Sequence, residues 1–160
     1  MSALTPEPGR APRGPQDAPR RLLTDWTTTA GLGGDGLAAL VVGDDAVPEA
    51  VHLATLGYAT FLVGSVTPDT DLPSTVHAVD VEPDAVPSAW HDRFALVVAG
   101  PHDLPAWTAC LAPAGLLVVL GDEGAVPETP PAGLTEVMRE SGPDPAAPTR
   151  IRVRAVHARL

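Results

Sequence analysis

Cysteine, lysine and long apolar runs are what this 160-residue chain has least of. Cys110 is the only cysteine, which excludes a disulfide framework and a cysteine-based metal cluster, and we expect no metal site. All 10 basic residues are arginines and they face 20 acidic residues, so the formal net charge is −10 at pH 7. Nucleic-acid binding needs a basic surface, and we therefore expect no such partner.

The N-terminal part of the chain has no apolar segment of the kind found in a signal peptide. No apolar run reaches the roughly 18 residues that a membrane span requires. We therefore expect a cytoplasmic protein that does not contact a membrane. A hydrophobic content of 44% in 160 residues is enough for one domain with its own core. Residues 1–19 hold five prolines and two glycines, which predicts a disordered tail before a single domain over residues 20–160.

Short apolar runs alternate with helical patterns along the rest of the chain. Residues 20–30 have helical spacing, and Ala38–Val42 is a continuous apolar run, typical of a parallel strand that is covered on both faces. A helix follows, with Pro48 in its first turn and Gly57 at its end. Further strands are predicted at 58–63, 76–81, 94–99 and 116–120, a short helix at 104–111, and a closing antiparallel pair at 134–140 and 150–160, with the arginines of the last strand facing out.

This order of elements predicts a doubly wound, Rossmann-like α/β fold. The sheet should be mainly parallel and have about seven strands, with an antiparallel C-terminal edge. Two segments carry a resemblance to a known family: Phe-Ala-Leu-Val-Val at 94–98 and Leu-Ala-Pro-Ala-Gly-Leu-Leu-Val-Val at 111–119. Together with the strand, loop and helix that begin at Ala38, they make residues 20–160 resemble the class I S-adenosylmethionine-dependent methyltransferases, as a truncated and degenerate member.

The resemblance implies a cofactor site that includes Gly43, Asp45, Ser65 and Asp80. The family's first loop reads Gly-x-Gly-x-Gly, and here only Gly43 is kept, with a carboxylate at Asp45 where the ligand would approach the backbone. The family ends its second strand with an acid that binds the ribose, and here that place is Gly64 or Ser65. Asp80 matches the family's acid near the adenine. We therefore expect either no cofactor or weak binding of S-adenosylmethionine.

His102 and Asp103 are the candidate catalytic residues, because they follow the fourth strand where the family keeps residues that face the substrate. A histidine beside a carboxylate can act as a general base near neutral pH. The alternative is structural: Asp103 caps the helix that begins at Leu104, and His102 lies in solvent.

Two connections, 64–75 and 121–133, are too rich in proline to hold the helices that family members place there. A parallel sheet needs cover on both faces, so we expect a homodimer or a partner protein on the uncovered face. The alternative is that the proline-rich connections fold over the sheet themselves.

The sequence thus predicts a methyltransferase-like protein with an eroded cofactor site, acting as a repurposed small-molecule enzyme or as a binding or partner subunit in specialised metabolism. The alternative is an active S-adenosylmethionine-dependent methyltransferase for a small molecule.

Overall fold

The computed structural model describes residues 37–44, 46–66, 70–144 and 147–160. The predicted tail at 1–19 and the predicted helix at 20–30 lie outside the described residues, and so does Asp45. In the described residues, one mixed sheet of seven strands has the order β3-β2-β1-β4-β5-β7-β6. The strands are β1 Ala38–Val42, β2 Ala59–Val63, β3 Val76–Val79, β4 Phe94–Ala99, β5 Leu111–Asp122, β6 Thr135–Asp144 and β7 Ala147–Ala158.

Strands β3, β2, β1, β4 and β5 pair in parallel, whereas β7 runs antiparallel to both β5 and β6. The predicted Rossmann-like sheet with an antiparallel C-terminal edge is therefore confirmed. The first unit follows the prediction closely. Helix α1, Val47–Thr55, has proline in its first turn and buries Ala50 and Leu53. It ends where Tyr58 donates its N–H to the Leu53 carbonyl oxygen, just before β2.

The second helix and the fifth strand differ from the prediction. Helix α2 covers only Leu104–Thr108, because Leu111 already pairs with Phe94 and begins β5. The register then shifts, so that Leu116 is the next residue opposite β4 and the residues between bulge out of the ladder. Ala114 lies in this bulge with a φ of 65°, a conformation that costs L-residues about 1–2 kcal/mol.

Apolar side chains pack on both faces of the sheet. On the face of α1, Leu53 packs with residues of β1, β2, β4 and β5. On the face of α2, Trp107 packs beside a group of aromatic rings formed by Phe61, Trp90 and Phe94, whose centroids are 5.3 to 5.7 Å apart. Trp90 belongs to the second of two short 3₁₀ turns, Pro83–Ala85 and Ser88–Trp90, that precede β4. These turns and rings cover the sheet around Phe61 of β2 and Phe94 of β4. The described residues contain no helix at this place other than the two short turns.

The two proline-rich connections have no helix in their described residues, as predicted. They nevertheless contribute side chains to the cores: Val66 and Leu72 pack on the face of α1, and Val126 is buried on the face of α2. Among the described residues, the large apolar side chains that stay exposed are Leu37, Val137 and Leu160. None of the described helices is long and apolar enough to cross a membrane.

The prediction that the arginines of the last strand face out is wrong for Arg154, whose side chain is 1% exposed. The reason is that β7 lies inside the sheet, between β5 and β6, and both of its faces are covered. Arg154 stands opposite Glu140 of β6, and its guanidinium lies 2.6 Å from the Glu140 carboxylate. The guanidinium of Arg154 therefore lies buried on the sheet and pairs with Glu140 instead of pointing into solvent.

Candidate functional site

The predicted site residues meet at one edge of the sheet, the carboxyl ends of the parallel strands. Ligands of open α/β sheets bind outside this edge. Gly43 follows β1, Ser65 follows β2 and Asp80 follows β3, which pairs with β2. His102 and Asp103 follow β4, the strand on the other side of β1. The topology therefore places all of the described candidates along the same edge of the sheet, and we call the space outside this edge the crevice.

The loops after β1 and β2 are bound to each other. The Gly43 N–H donates to the Val63 carbonyl oxygen at 2.8 Å. The carboxylate of Asp44 accepts the Ser65 N–H, with 2.8 Å between Oδ1 and N. We call this second contact the Asp44–Ser65 bond. It joins the loop after β1 to the loop after β2, and we call these two joined loops the crevice turn.

The close approach of these loops depends on Gly64. Its φ is +149°, and a Cβ placed on it would lie 2.3 Å from the Gly43 carbonyl oxygen, well inside any real contact. A side chain, acidic or otherwise, is therefore not accommodated at Gly64 in this arrangement. Of the two positions considered for the missing ribose acid, only Ser65 could carry one, and the Ser65 N–H is already engaged by Asp44.

Asp44 is held in its ionised form. The hydrogen bond from the Ser65 backbone, followed by one from the Ser65 side chain, lowers the pKa of the Asp44 carboxyl below its ordinary value. Hydrogen bonds to the charged form of an acid have this effect because they stabilise the carboxylate and not the neutral acid. The crevice turn thus carries a permanent negative charge at neutral pH.

The remaining candidates lie at the crevice edge without contacts that assign them a role. Asp80 and His102 are exposed. Asp103 occupies the N-cap position of α2, but its φ of 58° is left-handed and its side chain makes no capping hydrogen bond. The alternative in which the Asp103 side chain caps the helix is therefore wrong, whereas its other half, His102 in solvent, is confirmed. The catalytic roles of His102 and Asp103 stay predictions.

Sequence reasoning missed an ion cluster at the end of β5. The Asp122 carboxylate accepts two hydrogen bonds from Arg150, at 2.7 and 2.8 Å, and Arg152 approaches it at 3.5 Å. The Arg150 hydrogen bond is the main reason why the pKa of Asp122 lies below its ordinary value. The strand register brings these charges together, because Asp122 stands directly opposite Arg152 in the β5–β7 pair. The Asp122 carboxylate is thus paired with two arginines of β7.

Neither a metal centre nor a cysteine nucleophile is indicated. No group of three His, Cys, Asp or Glu side chains that could hold a metal ion occurs among the residues the structure describes. Cys110 is fully buried, and burial raises the pKa of its thiol to about 11. A thiol with this pKa carries almost no reactive thiolate at neutral pH.

The fold is similar to that of solved methyltransferases. No protein-family model matches the sequence, and a search of the curated proteins finds no match either. Among solved structures, the 1,6-didemethyltoxoflavin-N1-methyltransferase of Burkholderia thailandensis, with bound 1,6-didemethyltoxoflavin and S-adenosylhomocysteine, aligns with a TM-score of 0.68 and 14% identity over 89% of this chain and 79% of its own. The N-methyltransferase NodS of Bradyrhizobium japonicum WM9 aligns with a TM-score of 0.64 and 16% identity, over 90% of this chain and 96% of its own.

A third structure, a 16S rRNA (adenine(1408)-N(1))-methyltransferase variant from Catenulisporales acidiphilia, has a TM-score of 0.56 and 12% identity, over 86% of this chain and 90% of its own. Two of these proteins are named for very different substrates, 1,6-didemethyltoxoflavin and 16S rRNA, so the likeness identifies the fold and not what is bound. The chain has the fold of the class I S-adenosylmethionine-dependent methyltransferases, and its described residues contain few of the helices that usually cover the sheet.

Proposed function

We propose that this methyltransferase-fold protein has an eroded S-adenosylmethionine site and works in the cytoplasm as a binding or partner subunit of specialised metabolism. In this role the scaffold holds a small molecule or a protein without transferring a methyl group. The observation that carries the proposal is the Asp44–Ser65 bond, because it occupies the crevice turn with the chain's own groups.

The residues present do not fit the nucleoside of the cofactor in the family's usual pose. The ribose hydroxyls would need an acceptor at the end of β2. The chain offers there a glycine without room for a side chain and Ser65, whose N–H and hydroxyl both donate to the Asp44 carboxylate. A bound ribose in that pose would have to displace the Asp44 carboxylate or share it. Leaving the Ser65 N–H unpaired beneath a ligand would cost free energy, since a buried donor without a partner forfeits about 1–3 kcal/mol.

A repurposed enzyme is the catalytic form of the same proposal. His102 and Asp103 are adjacent after β4, and both side chains are exposed at the crevice edge. Such an enzyme would use the crevice for proton transfer on a small molecule, with His102 as the base and Asp103 beside it.

An active methyltransferase is the second candidate, and two observations favour it. Gly43 keeps a φ of +147°, as a close backbone approach requires, and Asp80 is exposed at the end of β3. Weak binding of the cofactor by these two residues is compatible with a fold whose neighbours include a structure with bound S-adenosylhomocysteine.

Calorimetric titration of the full chain with S-adenosylmethionine and with S-adenosylhomocysteine separates the candidates. The proposal predicts no binding heat at micromolar concentrations and no shift of the melting temperature. A micromolar dissociation constant for either compound would overturn it in favour of the active enzyme. A melting-temperature shift should accompany any real binding, because a ligand that binds only the native state stabilises it.

Self-association through a sheet face also stays a proposal. The connections around Val66, Leu72 and Val126 already pack on the sheet, which favours cover by the chain itself over a large apolar partner surface. Light scattering at tens of micromolar tests this directly, and a strict monomer would remove the homodimer.

A further inference from the structure

A groove runs beside α2 and contains two adjoining clefts of about 340 and 370 Å³. Both clefts are lined by Thr108, Ala109 and Ala132, so they form one continuous depression, which we call the α2 groove. One cleft begins at Leu104, the first residue of α2, and the other reaches Arg159, just after β7. The groove thus extends away from the crevice, toward the amino ends of the parallel strands.

The groove exists because the connection from β5 to β6 lacks a helix in its described residues. Pro127 and Pro131 of this connection form its outer wall, opposite α2. Proline removes the backbone N–H that a helix interior needs, so an extended wall takes the place of a packed helix. The space between the wall and α2 is left open to a ligand.

The two halves of the groove differ in chemistry. The half near the start of α2 is lined mainly by aliphatic side chains, those of Leu104, Pro105, Pro127 and Pro131 among them. The other half contains His91, Asp92 and Arg159. A small molecule that filled both halves would need an apolar body and a charged end, because an apolar cleft with a few convergent polar groups orients its ligand in this way.

At the charged end of the groove, Asp92 and Arg159 form an ion pair. The Arg159 guanidinium donates to the Asp92 carboxylate and to the Leu111 carbonyl oxygen, in both cases through Nη1. Arginine has five N–H donors and a carboxylate has about four acceptor sites, so both groups keep hydrogen-bonding capacity. The side chains remain 60% exposed for Asp92 and 35% exposed for Arg159. The backbone of Asp92 is fixed by its N–H, which donates to the Ala109 carbonyl oxygen at 3.0 Å.

We propose that the α2 groove binds an α-amino acid with an apolar side chain. An ammonium group placed on Asp92 and a carboxylate placed on Arg159 would match the two charges of a zwitterion, and the side chain would lie against the proline wall. Thr108 lines both clefts, and its buried hydroxyl oxygen has no hydrogen-bond partner among the described residues. This proposal goes beyond the proposed function, because it uses no residue of the crevice.

Calorimetric titration of the full chain with three related compounds tests the charge match. L-phenylalanine carries both charged groups, 3-phenylpropionate lacks the ammonium and 2-phenylethylamine lacks the carboxylate. Because a hydrogen bond to a charged group contributes about 1.5–3 kcal/mol, each truncated compound should bind at least about tenfold more weakly than L-phenylalanine. Equal binding of a truncated compound, or no binding of L-phenylalanine at millimolar concentrations, would overturn the proposal.

Variants locate the binding. Asp92→Asn removes the carboxylate and suits the φ of 57° at this position, because asparagine tolerates the left-handed region. It should weaken L-phenylalanine binding about tenfold, whereas Asp84→Asn, an exposed acid in a 3₁₀ turn, should leave it unchanged. Ala132→Trp should fill the groove and abolish binding. Circular dichroism verifies that each variant is folded, and undiminished affinity in folded Asp92→Asn would contradict the proposal.

Discussion

The Asp44 carboxylate and the Ser65 N–H are 21 residues apart in the sequence and 2.8 Å apart in the structure. This bond spans the point where two loops of the crevice meet, with the Gly64 backbone packed against Gly43 beneath it. It gives the Asp44 side chain a structural role in joining the two loops.

The first prediction concerns the ionisation of Asp44. Because its folded pKa lies below the ordinary value, the bond should persist through neutral pH and be lost only as the pH falls through that lowered pKa. The Ser65 amide resonance should therefore shift in an acid titration followed by NMR, with a midpoint below that of an ordinary aspartate. In Asp44→Ala the shift should vanish. A Ser65 amide that titrates unchanged in the variant would show that the bond does not form.

The second prediction concerns the bulge of β5. Ala114 has a left-handed φ of 65°. Ala114→Gly should raise the free energy of unfolding by up to about 1 kcal/mol, since glycine adopts this conformation without strain but loses more entropy on folding. Ala112→Gly, two residues earlier and without a positive φ, should lower it. Urea unfolding measures both, and a stabilised Ala112→Gly would contradict the explanation by strain.

The third prediction concerns His157, which is 2% exposed and stands opposite Leu117 and Glu136. Burial lowers the pKa of His157 below its ordinary value, partly offset by the nearby Glu136 charge. The unfolded chain then binds a proton near pH 6.5 that the folded chain excludes, so stability should be full above about pH 6.5 and fall as the pH drops below it.

Urea midpoints measured from pH 8 to pH 5 test this behaviour. His157→Gln should show a flatter profile than the unaltered chain. His102→Gln, at an exposed position, should keep the original slope. If the urea midpoint of His157→Gln depends on pH as steeply as that of the unaltered chain, other groups cause the pH dependence.

The fourth prediction is a restoration of cofactor binding. Asp45→Gly with Ser65→Asp returns a glycine to the first loop and an acid to the end of β2. If these two positions prevent cofactor binding, the double variant should gain calorimetric binding of S-adenosylhomocysteine. A matched double variant, Asp84→Gly with Ser88→Asp, makes the same kinds of change at exposed positions that precede β4, at the other end of the strands, and should gain none.

The sheet was predictable because its strands are continuous apolar runs. The predicted bounds of Ala38–Val42 and Phe94–Ala99 agree with those in the structure. Buried parallel strands are continuous apolar runs, so each run begins and ends with its strand. The early start of β5 at Leu111 was not predictable, because it depends on pairing with Phe94 across a bulge. Arg154 was misplaced for a related reason: the sequence does not show that β7 enters the sheet between two strands.

The candidate site was predictable in its position and not in its contacts. The rule that ligands meet the carboxyl ends of strands placed Gly43, Ser65 and Asp80 together. The Asp44–Ser65 bond could not be derived from spacing, because it joins two loops whose approach depends on Gly64 having no side chain. The α2 groove was also missed, since it is a gap between elements and leaves no motif in the sequence.

If the chain's own groups occupy the crevice turn, a titration with S-adenosylhomocysteine followed by amide chemical shifts will show it. The resonances of Gly43, Gly64, Ser65 and Asp80 should stay in place at concentrations well above those that saturate a functional methyltransferase. Saturable shifts of these four amides at micromolar ligand would mean that the nucleoside reaches the crevice turn after all.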